Sequence, residues 1–387
     1  MKHIVILCDG TWNTADAQWP THVVRLARAL APEDAEGHAQ VPISVEGVGT
    51  GRGVGRVSRF LDRKLGGGLG WGLMANVVEA YRHLVFLYQP GDRIHIFGFS
   101  RGAFTARSLA GFIYQTGILD RDRLDLLQEA VDRYMKGVDI GSDESRDFRT
   151  RVSRHMATTP EELEYRIDEG FTDVSLLEID FIGVWDTVGA LGVPPAVPVL
   201  GMLGRGQFQF HNTVLSPMVK FARHAVALDE RRSTFEPTLW RSEDGTMMQG
   251  DDDAPRQQRY FAGDHGTVGG SAKTQGLASY TLDWMMEGAR EAGLQFKTDE
   301  WGYILDAKDP FATIHSTDPA DRSGFSKLLH AFSKDRAGPE WLAELHRSVI
   351  TRWWHGAEPY RPGSLNRVRA ELAALPEEAR GGETRIV

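Results

Sequence analysis

Short apolar runs alternate along this chain with longer stretches in which apolar residues recur every three or four positions. Ile4–Leu7, Ile94–Phe97, Phe181–Trp185 and Arg259–Ala262 are runs of the first kind, rich in Ile, Val and aromatic residues. Such runs, bounded by turn formers, predict strands buried on both faces of a parallel sheet. In Gly72–Tyr88 the residues Leu73, Val77, Tyr81, Leu84 and Tyr88 share one helical face, and Pro90-Gly91-Asp92 then turns the chain into the next strand. A further helix is predicted over Ala103–Tyr114, with Gly117 as its C-cap. Strands alternating with helices imply an α/β architecture, a mostly parallel doubly wound sheet covered on both faces.

The pattern changes from about Asp120 to Thr172. Leu124, Leu127, Ala130, Val131 and Tyr134 form one amphipathic helix, and a charged second one follows around Arg146–Met156. This predicts a helical insertion (about 120–172) within a core of residues 1–290. Residues 291–375 are expected as a C-terminal extension packed on that core, and 376–387 as a flexible polar tail.

Composition narrows the class. The 387 residues are 41% hydrophobic and 25% charged, values typical of soluble globular chains. A net charge of −9 argues against nucleic acid as the main partner. The four Arg and one Lys of Gly51–Lys64 read as a solvated loop. With one cysteine, Cys8, no intramolecular disulfide can form, which fits a reducing compartment. No signal-peptide pattern opens the chain, so a cytoplasmic location is expected, with export by a signal-independent system compatible. No apolar stretch approaches the ~20 residues of a spanning helix; peripheral membrane contact stays open.

The chemistry centres on Gly98-Phe99-Ser100-Arg101-Gly102. G-x-S-x-G is common by itself, but here it sits between a strand pattern and a helix former run. A nucleophile elbow needs that context, and its glycines allow strand and helix to approach closely. A serine nucleophile needs a base and an orienting acid, following in the order Ser, Asp or Glu, His. Asp186 tops the Phe181–Trp185 strand and fits the acid, whereas Asp180 lies at that strand's start. Among 13 histidines, His265 in Gly263-Asp264-His265-Gly266 lies in a loop just past a strand. His224 is the rival, although Phe221–Leu228 reads as the interior of a helix or strand. For the oxyanion hole, Arg101 should supply one backbone N–H, and Gly10 or Thr11 of Asp9-Gly10-Thr11-Trp12 the other. The plain alternative there is a strand-to-helix turn with Asp9 as a cap.

Other motifs fail. Asp9-Gly10-Thr11 misses the haloacid-dehalogenase register, because the nucleophilic aspartate's place holds Leu7. Gly47–Gly55 never forms G-x-G-x-x-G, and there is no P-loop. Asp251-Asp252-Asp253 could hold a hard cation but reads as a solvated acidic loop, so neither metal nor cofactor is expected.

Several blocks together resemble a known family: Asp9-Gly10-Thr11-Trp12-Asn13, Gly47-Val48-Gly49-Thr50, the elbow through Ala103, Trp185-Asp186-Thr187-Val188-Gly189, His224–Arg232 and Phe261–Gly270. Leu345–Val349 and Tyr360-Arg361-Pro362 extend the likeness. The set is similar to the bacterial α/β-hydrolases of the domain of unknown function 2235, which include type VI secretion phospholipase effectors. The resemblance implies an α/β-hydrolase fold with Ser100 as nucleophile, Asp186 as acid and His265 as base. It departs at one place: the family often reads H-S-D-V-G-G where this chain has His265-Gly266-Thr267-Val268-Gly269-Gly270, so efficiency or specificity could differ. No extra membrane-anchoring domain of the larger effectors is recognisable.

The expected function is hydrolysis of a carboxylic ester through an acyl-enzyme, with lipid or phospholipid as the substrate class the resemblance implies. A small-molecule carboxylesterase and a non-catalytic binding or assembly module are the alternatives. Ala190–Leu203, apolar at Leu191, Leu200 and Met202 and stiffened by Pro194, Pro195 and Pro198, is expected as a lid or acyl-chain wall, or else as a loop packed on the core or at a homodimer interface. The oligomeric state is open.

Overall fold

A computed structural model describes residues 1–10, 18–45, 69–189, 214–241, 254–273, 275–314 and 333–381. Its centre is a six-stranded, all-parallel sheet of β1 (His3–Cys8), β2 (Gln40–Val45), β3 (Arg93–Phe99), β6 (Ile179–Trp185), β7 (Val219–Ala227) and β8 (Arg256–Phe261). A separate two-stranded ribbon joins β4 (Met156–Ala157) to β5 (Ser175–Leu176). The order across the large sheet is β2-β1-β3-β6-β7-β8. The chain therefore steps first to one side of β1 and then returns to build outwards from β3. Such a reversal leaves a crevice at the carboxyl ends of the strands, where α/β sheets bind ligands.

All four runs read as strands lie in this sheet, and β1 is buried at every position. Two further strands were harder to foresee. β2 is an edge strand whose burial alternates, with Pro42 exposed. Proline is tolerated there because an edge leaves some N–H groups outside the ladder. β7 resolves the ambiguity of Phe221–Leu228 in favour of a strand. Its Lys220 pairs with Glu178 at 2.6 Å, and its buried Arg223 reaches Trp284 O and Glu291.

Helices cover both faces. On one side lie α2 (Leu69–Leu87) and α3 (Arg101–Thr116), packing Val77, Tyr81, Leu84, Leu109 and Phe112 against Ile6, Ile94 and Ile96. Gly117 ends α3 with φ 69°. On the other face are α1 (His22–Ala29), α8 (Gly276–Glu291) and α9 (Thr298–Asp306), burying Leu26, Leu282, Met285 and Ala289 against Val5, Phe97 and Phe181. Between β3 and β6 run α4 (Leu127–Lys136), α5 (Asp143–Val152) and α6 (Pro160–Asp168). The charged helix starts and ends earlier than Arg146–Met156, because Ser142 caps α5 by accepting from Ser145 N and Met156 enters the ribbon. α6 was not foreseen. Its Glu162 and Arg166 are buried together with Arg149 in one ion-pair network.

After α7 (His265–Val268), α8 and α9, the C-terminal residues form α10 (Arg347–His355) and α11 (Arg369–Ala374). They pack Val349, Trp353, Tyr360, Leu365 and Leu372 on Tyr260 and Val226. Of the tail expected from residue 376, Glu377–Ala379 make a turn and the Arg380 guanidinium lies 3.9 Å from the Trp354 ring centroid, while residues 382–387 lie outside the described residues. That cation–π contact ties residues 376–381 to α10. Among the described residues no helix is long and apolar enough to cross a membrane.

Candidate active site

The site begins with a sharp turn. β3 runs directly into α3 through Ser100, whose φ of 59° and ψ of −121° are hostile to any side chain. The turn is held because its surroundings over-determine it. Ser100 N–H donates to Trp185 O at 3.1 Å. A Cβ at Gly98 would stand 2.5 Å from Gly102 O, and one at Gly102 would overlap the carbonyls of Cys8 and Asp9. Only glycine at both places lets strand, helix and the end of β1 meet.

Three side chains converge at the carboxyl ends of β3, β6 and β8. Ser100 Oγ lies 2.8 Å from His265 Nε2, and His265 Nδ1 lies 2.6 Å from Asp186 Oδ2. All three are buried, with Ser100 and His265 each 7% exposed. His265 opens α7, whose cap is Asp264 accepting from Thr267 N at 2.9 Å. Its ring is held between Phe99, at 4.7 Å between centroids, and Phe235, edge-on at 4.8 Å. Gly269 leaves room for the Phe99 ring, since any Cβ there would overlap it.

Asp186 also has a positive φ, 40°. Its N–H donates to Ala225 O at 2.8 Å, and its Oδ1 accepts from Ala227 N at 2.9 Å. Sequence reasoning missed its strongest partner. The Arg336 guanidinium grips both carboxylate oxygens, Nη1 on Oδ1 at 2.7 Å and Nη2 on Oδ2 at 2.9 Å. Burial would raise the Asp186 carboxyl, but the Arg336 charge and the bonds from His265 and Arg336 hold it well below the usual carboxylate range. Arg336 comes from an irregular segment with no periodicity or motif to mark it.

A second missed pair stands behind His265. Buried Glu230 is bound by Arg232 through Nε at 2.8 Å and Nη2 at 2.6 Å, and faces His265 N at 3.4 Å. Burial pushes Glu230 up, yet the Arg232 bonds bring it below its ordinary value. Both fall in the His224–Arg232 block, the one signal that could have flagged them.

The remaining expected residues fall differently. His224 is fully buried in β7, where its Nε2 accepts from Thr187 N at 3.3 Å, its Nδ1 meets Gln258 Oε1 at 2.9 Å and its ring meets Trp240. Burial, with the Arg107 charge, lowers it to about 3, so it stays neutral. Asp180 is at the far end of β6, accepting from Ile94 N. Arg101 opens α3, so its N–H has no acceptor within the helix. Gly10 N–H is engaged by Asp9 Oδ1 at 2.6 Å, while Asp9 Oδ2 accepts from Thr21 Oγ1. Asp9 therefore holds its own turn, and Gly10 could serve an oxyanion only by releasing that bond. Thr11, Leu191, Leu200, Met202 and Asp251-Asp252-Asp253 lie outside the described residues.

For a metal, the described residues offer one cluster, His3, Asp34 and His38, at the opposite ends of the strands. Hydrogen bonds account for it: Asp34 Oδ2 meets His3 Nε2 at 2.8 Å and His38 Nδ1 at 3.0 Å, and His3 Nδ1 meets His95 Nε2 at 3.0 Å.

Among known proteins, the chain is similar to "Uncharacterized protein YEL023C" of Saccharomyces cerevisiae, 29% identical over 242 residues, which cover 61% of this chain and 32% of that protein. The chain thus spans about a third of that relative's length. Two solved structures are similar at low level. A crystal structure of an uncharacterized protein from Pseudomonas aeruginosa has 18% identity and a TM-score of 0.40, covering 97% of this chain and 60% of that one. The Tle1 effector bound to the VgrG spike of the type 6 secretion system has 16% identity and a TM-score of 0.36, covering 70% and 51%. Residues 2–288 match the family model described as T6SS, Phospholipase effector Tle1-like, catalytic domain, and the chain belongs to that family.

Proposed function

We propose that this protein is a serine ester hydrolase of the α/β-hydrolase fold, acting on lipid or phospholipid through an acyl-enzyme. One observation carries the reading: the unbroken chain from Ser100 Oγ to His265 Nε2 at 2.8 Å, and from His265 Nδ1 to Asp186 Oδ2 at 2.6 Å, begins on a strained strand-to-helix elbow. The strand order and the placement of the three groups after β3, β6 and β8 support the fold assignment. The same assignment covers the kinship with the domain of unknown function 2235. Family membership favours lipid as the substrate class.

In this mechanism His265 carries its proton on Nδ1, donated to Asp186, so that Nε2 accepts the Ser100 hydroxyl proton. Ser100 Oγ bonds to the ester carbonyl carbon, and the proton passes to His265. The Arg101 N–H, free at the helix start, meets the developing oxyanion. Collapse breaks the C–O bond, and His265 returns the proton to the leaving alcohol. Water then repeats the sequence on the acyl-enzyme, releasing the acid and Ser100. No step calls for a cofactor.

Incubation of the purified protein with mixed phospholipid vesicles, read by lipid mass spectrometry, tests the reading. Loss of ester-linked lipid with wild type and none with Ser100→Ala is expected. Equal loss with both, or failure of wild-type Ser100 to react with a fluorophosphonate, would overturn it.

A further inference from the structure

We propose that Arg336 is a positioning residue of this site, setting both the orientation of Asp186 and the pH range in which His265 can act as base. The inference rests on reading Ser100, His265 and Asp186 as a triad. It goes beyond that reading because Arg336 lies outside the matched span, residues 2–288.

The geometry is a fork on a fork. Two parallel N–H bonds to both oxygens fix a carboxylate in plane as well as in place, which a single-point contact cannot do. The guanidinium is itself anchored, with Nη1 donating to Ala227 O at 2.8 Å and Nη2 to Phe235 O. One side chain therefore ties together the acid, the end of β7 and the residue whose ring stands against the base. Arg336 is 5% exposed, so solvent screens none of this strongly.

The charge has a second consequence. Arg336 Nη2 and His265 Nδ1 meet the same oxygen, Asp186 Oδ2. A protonated imidazole would share that oxygen with a fixed cation. The other charged groups around His265 are engaged elsewhere: Glu230 is paired with Arg232, Asp264 caps α7, and Asp229 is bonded by Gly263 N and Tyr360. His224, on β7, stays neutral. Removing the guanidinium leaves the Asp186 charge uncompensated, and protonation of His265 becomes easier.

The test is the second-order rate of Ser100 labelling by a fluorophosphonate as a function of pH, which needs no knowledge of the natural substrate. In Arg336→Gln the acid limb of that profile should move to higher pH by on the order of one pH unit, the scale of a nearby charge in a partly screened interior. In Arg336→Lys the charge remains and the fork is lost, so the limb should stay in place while the plateau rate falls about tenfold. A residue that merely held the fold would lower the midpoint of thermal unfolding without moving the limb. An unmoved limb in folded Arg336→Gln would overturn the charge role. Full wild-type plateau labelling of Arg336→Lys would overturn the positioning role, whether or not the glutamine variant folds. Absence of labelling in wild type would instead remove the triad reading itself.

Discussion

Ser100 and Asp186 share a backbone peculiarity: their φ angles, 59° and 40°, are positive, and no other described non-glycine residue has this. They end adjacent parallel strands, and the register sets Phe99 opposite Trp185. Two residues in sparsely populated backbone regions thus stand side by side, each held there by the packing around it.

The strain at Ser100 can be released. Ser100→Gly should abolish ester hydrolysis and stabilise the protein by about 1 kcal/mol, since glycine accepts this backbone and its entropy cost offsets only part of the gain. Urea unfolding of Ser100→Gly against Ser100→Ala reads the difference. A glycine variant no more stable than the alanine variant would contradict it.

Asp186→Asn should lower kcat by about 10⁴, because the amide favours the wrong imidazole tautomer and loses one of the Arg336 bonds. His265→Ala should be equally inactive. Full activity in His265→Ala would move attention to His224, whose substitution is expected to destabilise β7 and leave the chemistry intact.

The pH profile should show one proton. Asp186 is held below the usual carboxylate range, so it remains ionised until the pH falls beneath its folded value. Its contribution to stability is therefore present above about 3.9, the unfolded carboxyl value, and is lost only as pH falls towards the lower folded one. With Asp186 ionised throughout, the acid limb of log kcat/KM should then rise with a slope of one. A slope of two, or a flat profile, is the outcome that counts against a histidine base backed by an ionised aspartate.

Gly269→Ala should displace the Phe99 ring and with it the wall behind His265. Overpacking of this kind costs about 1–3 kcal/mol. Urea unfolding and fluorophosphonate labelling together check it. Lower stability with an unchanged labelling rate would mean that Phe99 does not hold the base.

Cys8 should be inert in the native state. Burial, with the neighbouring Asp9 charge, pushes its thiol up to about 12, and the residue is 1% exposed. Reaction with a thiol-specific disulfide reagent should follow global unfolding. Rapid reaction of the folded protein would show that the end of β1 opens.

How much of this was readable beforehand depends on where the physical signal lay. A strand buried on both faces must be apolar at every position, so Ile4–Leu7 and Ile94–Phe97 announced β1 and β3 in their own residues. The elbow did the same, because only glycine fits at 98 and 102 when strand, helix and a neighbouring carbonyl converge. β2 was hidden because an edge strand buries one face and tolerates Pro42. β7 was ambiguous because Lys220, Arg223 and His224 interrupt its apolar pattern, each satisfied by partners distant in the chain. α6 was hidden for the same reason, with Glu162 buried against Arg149 and Thr158 and Arg166 against Glu162 and Ser153 O. The sequence by itself determined the parallel sheet, the elbow and a short set of site candidates, because local sterics and burial periodicity are written residue by residue. Tertiary structure alone decided that His265 and not His224 meets Ser100, and that Arg336 grips Asp186. Those relationships depend on side chains meeting across the ends of separate strands, and no local pattern encodes a contact between residues brought together only by the fold.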